Sequence, residues 1–259
     1  MKSKLEQALI KSHPIDGVDE TNSLVTFSRH TDLEQLKETV EPLSEKQLSQ
    51  KKIIYPAMKD RVLLNEFRDV RTKLNKRLGE RGTVTLVTSA LPNSGTSFVA
   101  TNLAAVIAHD HAQTSLLIDC NLNRPSLHKT FAFDGEAGLS EFLIGDTDNV
   151  SEIIHPTGIK RMRYVPVGNK YETGREFFTG SRMRQLAIHL RDRYNDRSVI
   201  IDAPAVLESA DTRMLVDMCD QVVLVVGYAK VSGADIKEAV DTIGHDKLAG
   251  VFFNQSLMK

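Results

Sequence analysis

The chain has 259 residues, of which 33 are basic and 34 acidic, so its formal net charge is −1. This balance argues against non-specific nucleic-acid binding, which depends on neutralising many phosphates. The composition, 41% hydrophobic and 26% charged, is typical of a globular protein rather than a fibre or a disordered chain. No apolar run approaches the ~20 residues that a membrane-spanning helix needs, and no signal peptide is recognised, so we expect a cytoplasmic protein. Cys120 and Cys219 have no metal-binding spacing and are expected to be packed, reduced thiols.

Residues 1–55 differ in character from the rest of the chain. They are rich in Ser, Glu, Lys and Gln, and their apolar residues form only two brief helical patterns, at Leu5–Ile10 and Leu33–Val40. Neither pattern is long enough for a helix that is stable alone in water. We predict an N-terminal arm that is partly mobile or docks on a partner, followed by one domain at residues 56–259. A plain solvated tail is the alternative for the arm.

From residue 61 onward, helical and strand patterns alternate along the chain. A helix is predicted at 61–78, with one apolar face made by Val62, Leu63, Phe67, Val70, Leu74 and Leu78. The strand patterns are apolar on both faces, which is typical of a parallel sheet covered by helices on each side. The alternation therefore predicts an α/β fold with a doubly wound, mostly parallel sheet. The predicted strands are 83–88, 115–119, 164–167, 199–202, 222–227 and 249–253, and the remaining helices are 97–108, 181–194, 211–218 and 232–243.

The first strand leads through the segment 89–97, Ser-Ala-Leu-Pro-Asn-Ser-Gly-Thr-Ser, into a helix. At such a turn, backbone N–H groups and the helix N-terminus face a bound anion. The full phosphate-loop pattern is G-x-x-x-x-G-K-[ST]. Gly95 and Ser97 match it, whereas Ala90 replaces the first glycine and Thr96 replaces the lysine. The context predicts a phosphate-binding loop built from Asn93, Ser94, Gly95, Thr96, Ser97 and Phe98.

Two predicted strands end in an aspartate. Asp119 and Asp202 each follow an apolar run, at the carboxyl edge where open α/β sheets bind ligands. Asp202 suits the role of holding Mg²⁺ directly or through water. Either aspartate alone can equally cap the turn that follows it. Together with the loop, they predict a nucleotide site in which Ser97, Asp119 and Asp202 are the metal-binding residues.

Six further features of the sequence occur in a fixed order along the chain. They are Ser89-Ala-Leu-Pro-x-x-Gly95 with Asn102-Leu-Ala, Leu117-Ile-Asp119 with Arg124-Pro-Ser-Leu-His128, Gly138-Leu-Ser-Glu-Phe-Leu143, Val165-Pro-Val-Gly168, Val199-Ile-Ile-Asp202-Ala-Pro204 and Gly250-Val-Phe-Phe-Asn254. Over roughly residues 60–258 they resemble the bacterial tyrosine kinases that regulate capsule and exopolysaccharide export. The resemblance implies a P-loop NTPase domain that uses ATP or ADP with Mg²⁺ and works with a membrane-embedded polysaccharide co-polymerase. It implies a cytoplasmic protein that reaches the membrane through this partner, and it adds Arg124 and Asn254 to the cofactor-binding residues.

The chain also departs from the family pattern. Thr96 stands where the family has the lysine that neutralises the β and γ phosphates, and it offers only a neutral hydrogen bond. In the expected catalytic set of Asp119, Asn121 and Asp202, Asn121 replaces a second acid, and an amide cannot accept a proton at neutral pH. Asn93 and Ser94 replace a glycine and an acid. The kinases typically phosphorylate C-terminal tyrosines, and no tyrosine follows Tyr228.

A helical motif of the family implies assembly into homo-oligomers. Its Glu-x-x-Arg-x-x-Arg pattern reads Asn65-x-x-Arg68-x-x-Arg71 here, with Glu66 displaced by one position, about 100° around the helix. Self-assembly through Arg68 and Arg71 is therefore one expectation, and an amphipathic helix with solvated arginines is the other.

Three hypotheses follow from these residues. The first is a pseudokinase, a degenerate family member that regulates polysaccharide export. The second is an active, atypical tyrosine kinase or ATPase in which Arg124 replaces the missing positive charge. The third is a positioning or partitioning ATPase, which commonly has a lysine early in the loop and ends in a membrane-binding helix. Neither feature is found in segment 89–92 or after Asn254.

Overall fold

The structure is a computed structural model that describes residues 40–78, 82–133, 135, 137–170, 172, 180–193 and 197–254. The described strands form one seven-stranded sheet in the order β3-β4-β2-β5-β1-β6-β7. Every pairing is parallel except that of the short edge strand β3 with β4. The strands are β1 (Val84–Ser89), β2 (Thr114–Asp119), β3 (His155–Pro156), β4 (Met162–Val165), β5 (Arg197–Asp202), β6 (Gln221–Gly227) and β7 (Leu248–Asn254).

Helices cover both faces of this sheet. The described helices are α1 (Glu45–Gln50), α2 (Arg61–Leu78), α3 (Thr96–Ala108), α4 (Leu127–Phe131), α5 (Leu139–Ile144), α6 (Ser181–Arg193), α7 (Ala210–Met218) and α8 (Gly233–Ile243), with a 3₁₀ turn at Val150–Ile153. One core cluster joins the sheet to α2 and α3, and the other joins it to α5–α8. Side chains of β1, β2 and β5 contribute to both clusters, which explains why these strands are apolar on both faces. The predicted doubly wound α/β fold is confirmed.

Helix α2 has the predicted bounds, and most of its predicted apolar face is packed: Phe67 and Leu74 are buried, and Leu63 and Val70 pack against the core. Val62 does not belong to that face. Leu64 is buried as well, whereas Val62 is 71% exposed. Phe67 lies 5.2 Å from Phe252 of β7 between ring centroids, and this contact fixes which side of α2 meets the sheet. The assignment of Val62 to the packed face was therefore wrong, because apolar spacing alone allowed neighbouring rotations of the helix.

The chain that precedes α2 runs along the phosphate-loop helix α3. The side chain of Asn102 in α3 accepts a hydrogen bond from the Ile54 backbone N–H at 2.8 Å and donates one to the Lys52 carbonyl at 3.1 Å. Farther along, the Leu43 N–H donates to the Gly158 carbonyl at 2.9 Å. Residues 43–54 are thus attached to the domain. The first 39 residues of the predicted arm lie outside the described residues, so the division at residue 55 stays a prediction.

Within the described ranges, no helix has both the length and the apolar character required to cross a bilayer. Cys120 and Cys219 are both buried and form no disulfide within the described residues, as expected of packed thiols.

Candidate nucleotide site

The segment between β1 and α3 is a tight turn that ends at a helix N-terminus. Asn93 and Gly95 both adopt left-handed backbone conformations, with φ of 62° and 87°. Gly95 is the N-cap of α3, so the first N–H groups of the helix lie directly after it. A side chain at position 95 would overlap the amide of Asn254. Position 95 therefore requires glycine for two reasons: its backbone is left-handed, and there is no room for a side chain.

Asn254 lies behind this loop. Its Nδ2 donates a hydrogen bond to the Ser94 carbonyl at 2.9 Å, and it is not among the residues that line the pocket in front of the loop. Ser94 is itself buried and donates from its hydroxyl to the Leu91 carbonyl at 2.8 Å. The structure thus places two of the predicted cofactor-binding residues in positions that support the loop from behind.

A pocket of about 630 Å³ opens in front of the loop, a volume in the range of small-molecule sites. It brings together segments that are distant in the sequence: the phosphate loop, the turn after β2 and the turn after β5. The predicted site residues found in its lining are Asn93, Gly95, Thr96, Ser97, Phe98, Asn121 and Arg124.

Asp119 and Asp202 lie side by side beneath this pocket. They are register partners at the ends of β2 and β5, and each is only 1% exposed. One Asp119 oxygen accepts the Asn121 N–H at 3.0 Å. The other, Asp119 Oδ2, and both carboxylate oxygens of Asp202 make no close hydrogen bond within the described part of the chain. The Ser97 hydroxyl nevertheless lies near enough to lower the pKa of Asp202, and the Leu127 N–H and the Tyr164 hydroxyl do the same for Asp119. Buried polar atoms are rarely left without a partner, so these oxygens are suited to a ligand.

Burial dominates the electrostatics of the pair. It raises the pKa of Asp119 to about 7, against the opposing effect of the Asn121 N–H. Burial also raises the pKa of Asp202 well above its ordinary value, and the neighbouring Asp119 carboxylate adds to that rise. Two adjacent carboxylates in a low-dielectric site resist simultaneous ionisation. A bound divalent cation would relieve this repulsion.

The side chains around the pair match Mg²⁺ better than they match phosphoryl-transfer chemistry. Mg²⁺ prefers oxygen ligands, and the orphan oxygens of Asp119 and Asp202, with the pocket-lining Ser97 hydroxyl, are such donors. The residues present therefore fit Mg²⁺ together with a nucleotide. By contrast, Asn121 uses its side-chain oxygen to accept the Arg124 N–H at 3.1 Å. This amide closes a turn in the position for which the family resemblance implied a second acid.

Sequence reasoning missed three residues near the site. Glu208 lines the pocket as its one acidic side chain among the described residues. Tyr164 lies beside Asp119, and burial raises the pKa of its hydroxyl. Lys230 donates from Nζ to the Asn93 carbonyl at 3.0 Å. No sequence signal identified them, because each reaches the site from an element whose position depends on the folded sheet.

Comparisons with known proteins agree with this geometry. No protein-family model matches the chain. The chain is 34% identical over 149 residues to the tyrosine-protein kinase etk of Escherichia coli, a match that spans 57% of this chain and 20% of that protein. It is 29% identical over 193 residues to the tyrosine-protein kinase YwqD of Bacillus subtilis, covering 73% of this chain and 79% of that one.

The solved kinase domain of Escherichia coli ETK has the same fold, with a TM-score of 0.68 and 25% identity over 85% of this chain and 91% of that domain. The chain spans about a quarter of the length of several other related kinases. The cell division ATPase MinD of Pyrococcus furiosus shares the fold, with a TM-score of 0.56 and 20% identity over 66% of this chain and 70% of that one.

Proposed function

This chain is a homologue of the bacterial tyrosine kinases, and we propose that it is a pseudokinase of that family, which binds Mg²⁺ and nucleotide weakly and regulates exopolysaccharide export. The proposal rests on a contrast within one pocket, between groups suited to binding a nucleotide and missing groups that phosphoryl transfer would need. The loop at Gly95 and the orphan oxygens of Asp119 and Asp202 form an anion and cation site. The two side chains expected to supply charge for transfer, at positions 96 and 121, are neutral.

Nucleotide binding and phosphoryl transfer need different groups, so this site can retain the first without the second. Backbone N–H groups at the start of α3 can hold a phosphate group without any side-chain charge. Transfer of a phosphoryl group depends on stabilising charge in the transition state and on positioning the attacking group. Thr96 supplies no positive charge, and the Asn121 side-chain oxygen already accepts the Arg124 N–H. We therefore expect a bound nucleotide to stay largely unreacted.

The proposed partner is a membrane polysaccharide co-polymerase, and membrane association would come through that protein. Self-assembly through α2 is a weaker part of the proposal. Arg68 is exposed, but Arg71 is used within the chain, where it donates to the Val106 carbonyl at 3.1 Å and lies 3.5 Å from Asp110. An assembly contact through α2 would have to use Arg68 or compete for Arg71.

A restoration experiment tests the proposal. Calorimetry with Mg·ADP and Mg·ATP should show weak binding by the wild-type chain and at least tenfold tighter binding by Thr96→Lys/Asn121→Asp, because both changes restore charge beside the phosphates and the metal. A radiolabel assay should show no phosphoryl transfer by the wild type. Robust transfer by the wild type would contradict the pseudokinase assignment, and unchanged affinity of the double variant would contradict the site assignment.

The second candidate is an active, atypical ATPase or tyrosine kinase. The observation that favours it is the position of Arg124, which lines the pocket as its one basic side chain among the described residues. If Arg124 replaces the missing charge, Arg124→Ala abolishes turnover by the wild-type chain. Turnover that survives in this variant excludes Arg124 as the replacement.

A further inference from the structure

We propose that Lys230, which lies in the turn after β6, supplies to the phosphate loop the positive charge that Thr96 lacks. This inference rests on the proposed nucleotide site and names a specificity-determining residue for it. Lys230 is 134 positions away from Thr96 in the sequence, so it belongs to no phosphate-loop pattern. The fold brings it to the loop because β6 is the direct neighbour of β1 in the sheet.

The turn that follows β6 brings the Lys230 side chain into contact with the phosphate loop. Strand β6 ends at Gly227, where a Cβ would lie 3.2 Å from the Ser94 Cα and 3.4 Å from the Lys230 Cδ. Ala229 adopts a left-handed conformation with φ of 56°, and the Lys230 N–H donates to the Gly227 carbonyl at 3.2 Å. This tight turn directs the lysine side chain alongside Ser94, with its Nζ 3.0 Å from the Asn93 carbonyl oxygen.

The charge of Lys230 has no counter-ion in the described part of the molecule. Its Nζ forms none of the ion pairs found there, and its bonding partner, the Asn93 carbonyl, is neutral. Asp235, the nearest acid after it in sequence, is occupied by the backbone and hydroxyl of Ser232. A lysine ammonium has three donors on a flexible stem. The Lys230 ammonium can therefore keep its hydrogen bond to the Asn93 carbonyl and also donate to a phosphate oxygen, or it can leave the carbonyl and donate to the phosphate instead.

An ammonium in this place favours ligands with more phosphate charge. The backbone N–H groups after Gly95 serve one phosphate equally well in ADP and ATP, whereas a cation that leaves the Asn93 carbonyl to meet the ligand acts most on the additional charge of ATP. Arg124 lines the pocket from the turn after β2, whereas Lys230 is not among the lining residues and reaches the pocket through its bond to Asn93. Lys230 contacts the loop itself, which is why we assign it the role of the missing lysine.

The test uses calorimetry to measure the affinity of the full chain for AMP, Mg·ADP and Mg·ATP. The proteins compared are the wild type, Lys230→Gln, Lys230→Arg, Thr96→Lys and the double variant Thr96→Lys/Lys230→Gln. Glutamine removes the charge and offers a neutral donor on a side chain that is one bond shorter than that of lysine. We expect Lys230→Gln to weaken Mg·ATP binding about five- to tenfold, the difference between a charge-assisted and a neutral hydrogen bond. The loss should be smaller for AMP, and Lys230→Arg should retain most of the affinity.

In the Thr96→Lys background, Lys230→Gln should change Mg·ATP affinity less than twofold, because the charge is already supplied. Lys237→Gln, an exposed lysine of α8, is the matched control and should bind as the wild type does. Wild-type binding that is unchanged in Lys230→Gln overturns the inference and leaves the proposed function standing. An equal loss in both backgrounds, with a lowered melting temperature, shows a merely structural lysine and also overturns it. Absence of nucleotide binding in every variant overturns both proposals.

Discussion

Asp119 and Asp202 are register partners on adjacent parallel strands, and together they bury three carboxylate oxygens that make no close hydrogen bond to any described residue. The ordinary pKa of each is 3.8, and in the folded chain the pKa of Asp119 rises to about 7 and that of Asp202 rises as well, chiefly through burial. The folded state therefore holds protons that the unfolded chain releases above about pH 4. The contribution of this pair to stability is present below pH 4 and is lost as the pH rises through 7.

We expect the free energy of unfolding to fall, through this pair, by a few kcal/mol between about pH 4 and pH 7, since one pKa unit corresponds to about 1.4 kcal/mol. Urea unfolding of the wild type and Asp202→Asn across this window measures it, with the exposed Asp241→Asn as the control. The Asp202→Asn curve should be flatter, and Mg²⁺ should stabilise the wild type more at pH 8 than at pH 6. Identical pH slopes in the three proteins would contradict the assignment of the shifted protons to this pair.

A second prediction concerns Gly95, whose left-handed backbone and contact with Asn254 leave no room for a side chain. Gly95→Ala should destabilise the chain by about 2–4 kcal/mol, from backbone strain together with displacement of Asn254. Gly145→Ala is the matched control, because Gly145 also caps a helix with positive φ (86°), at the end of α5, but the nearest neighbour of a new Cβ there is 3.8 Å away. Its cost should be about 1 kcal/mol. Thermal unfolding compares the two, and equal losses would mean that Asn254 does not brace the loop.

Much of the fold was predictable because the strands that carry the site are buried on both faces. The apolar runs before Asp119 and Asp202 identified β2 and β5, and the short turn at Gly95 identified the loop. Strand β4 was predicted two residues late, at 164–167, whereas it ends at Val165. Pro166 cannot donate to a sheet ladder, and the carbonyls of Pro166 and Val167 instead accept N–H groups from the start of α5.

Other parts of the fold and of the site depend on tertiary contacts, which a local pattern of apolar residues in the sequence does not reveal. The five-residue helix α4 and six-residue helix α5 are too short to be stable alone and were not predicted. Asn254 was assigned to the cofactor, but its position behind Ser94 follows from the pairing of β7 with β6. Lys230 was overlooked for the same reason. Local spacing therefore located the loop, and only the sheet order revealed what surrounds it.

A third prediction concerns Asn102, which is buried in α3 and holds residues 52–54 through both ends of its amide. Asn102→Leu should lower the free energy of unfolding by about 2–4 kcal/mol, because the Ile54 N–H and Lys52 carbonyl lose their partner. Amide exchange at Ile54 should accelerate in parallel. Thr101→Val is the control in the same helix, since the buried Thr101 hydroxyl has no partner within the described ranges, and this change should be close to neutral. Unaltered exchange at Ile54 would show that other contacts hold the segment.

The last prediction concerns Glu141, a buried carboxylate that organises the turn after β4. Its Oε2 accepts the Gly138 N–H at 2.9 Å and the Ser140 hydroxyl at 3.0 Å, and its Oε1 accepts the N–H groups of Asn169 and Lys170 at 2.9 and 3.2 Å. Glutamine has nearly the same shape but turns one acceptor into a donor, which would face N–H groups. Glu141→Gln should therefore destabilise the chain by about 2–3 kcal/mol.

The matched control is Glu152→Gln, which likewise replaces one carboxylate oxygen by an amide donor but does so at the surface, where Glu152 accepts the Thr147 hydroxyl. It should stay within about 0.5 kcal/mol of the wild type. Urea unfolding gives the two energies, and amide exchange reports separately on Asn169 and Lys170. Both protons should exchange faster in Glu141→Gln only, because they lose a charged acceptor inside the protein. If they stay protected while stability falls, the carboxylate stabilises helix α5 through Gly138 alone, and the turn after β4 is held by other contacts.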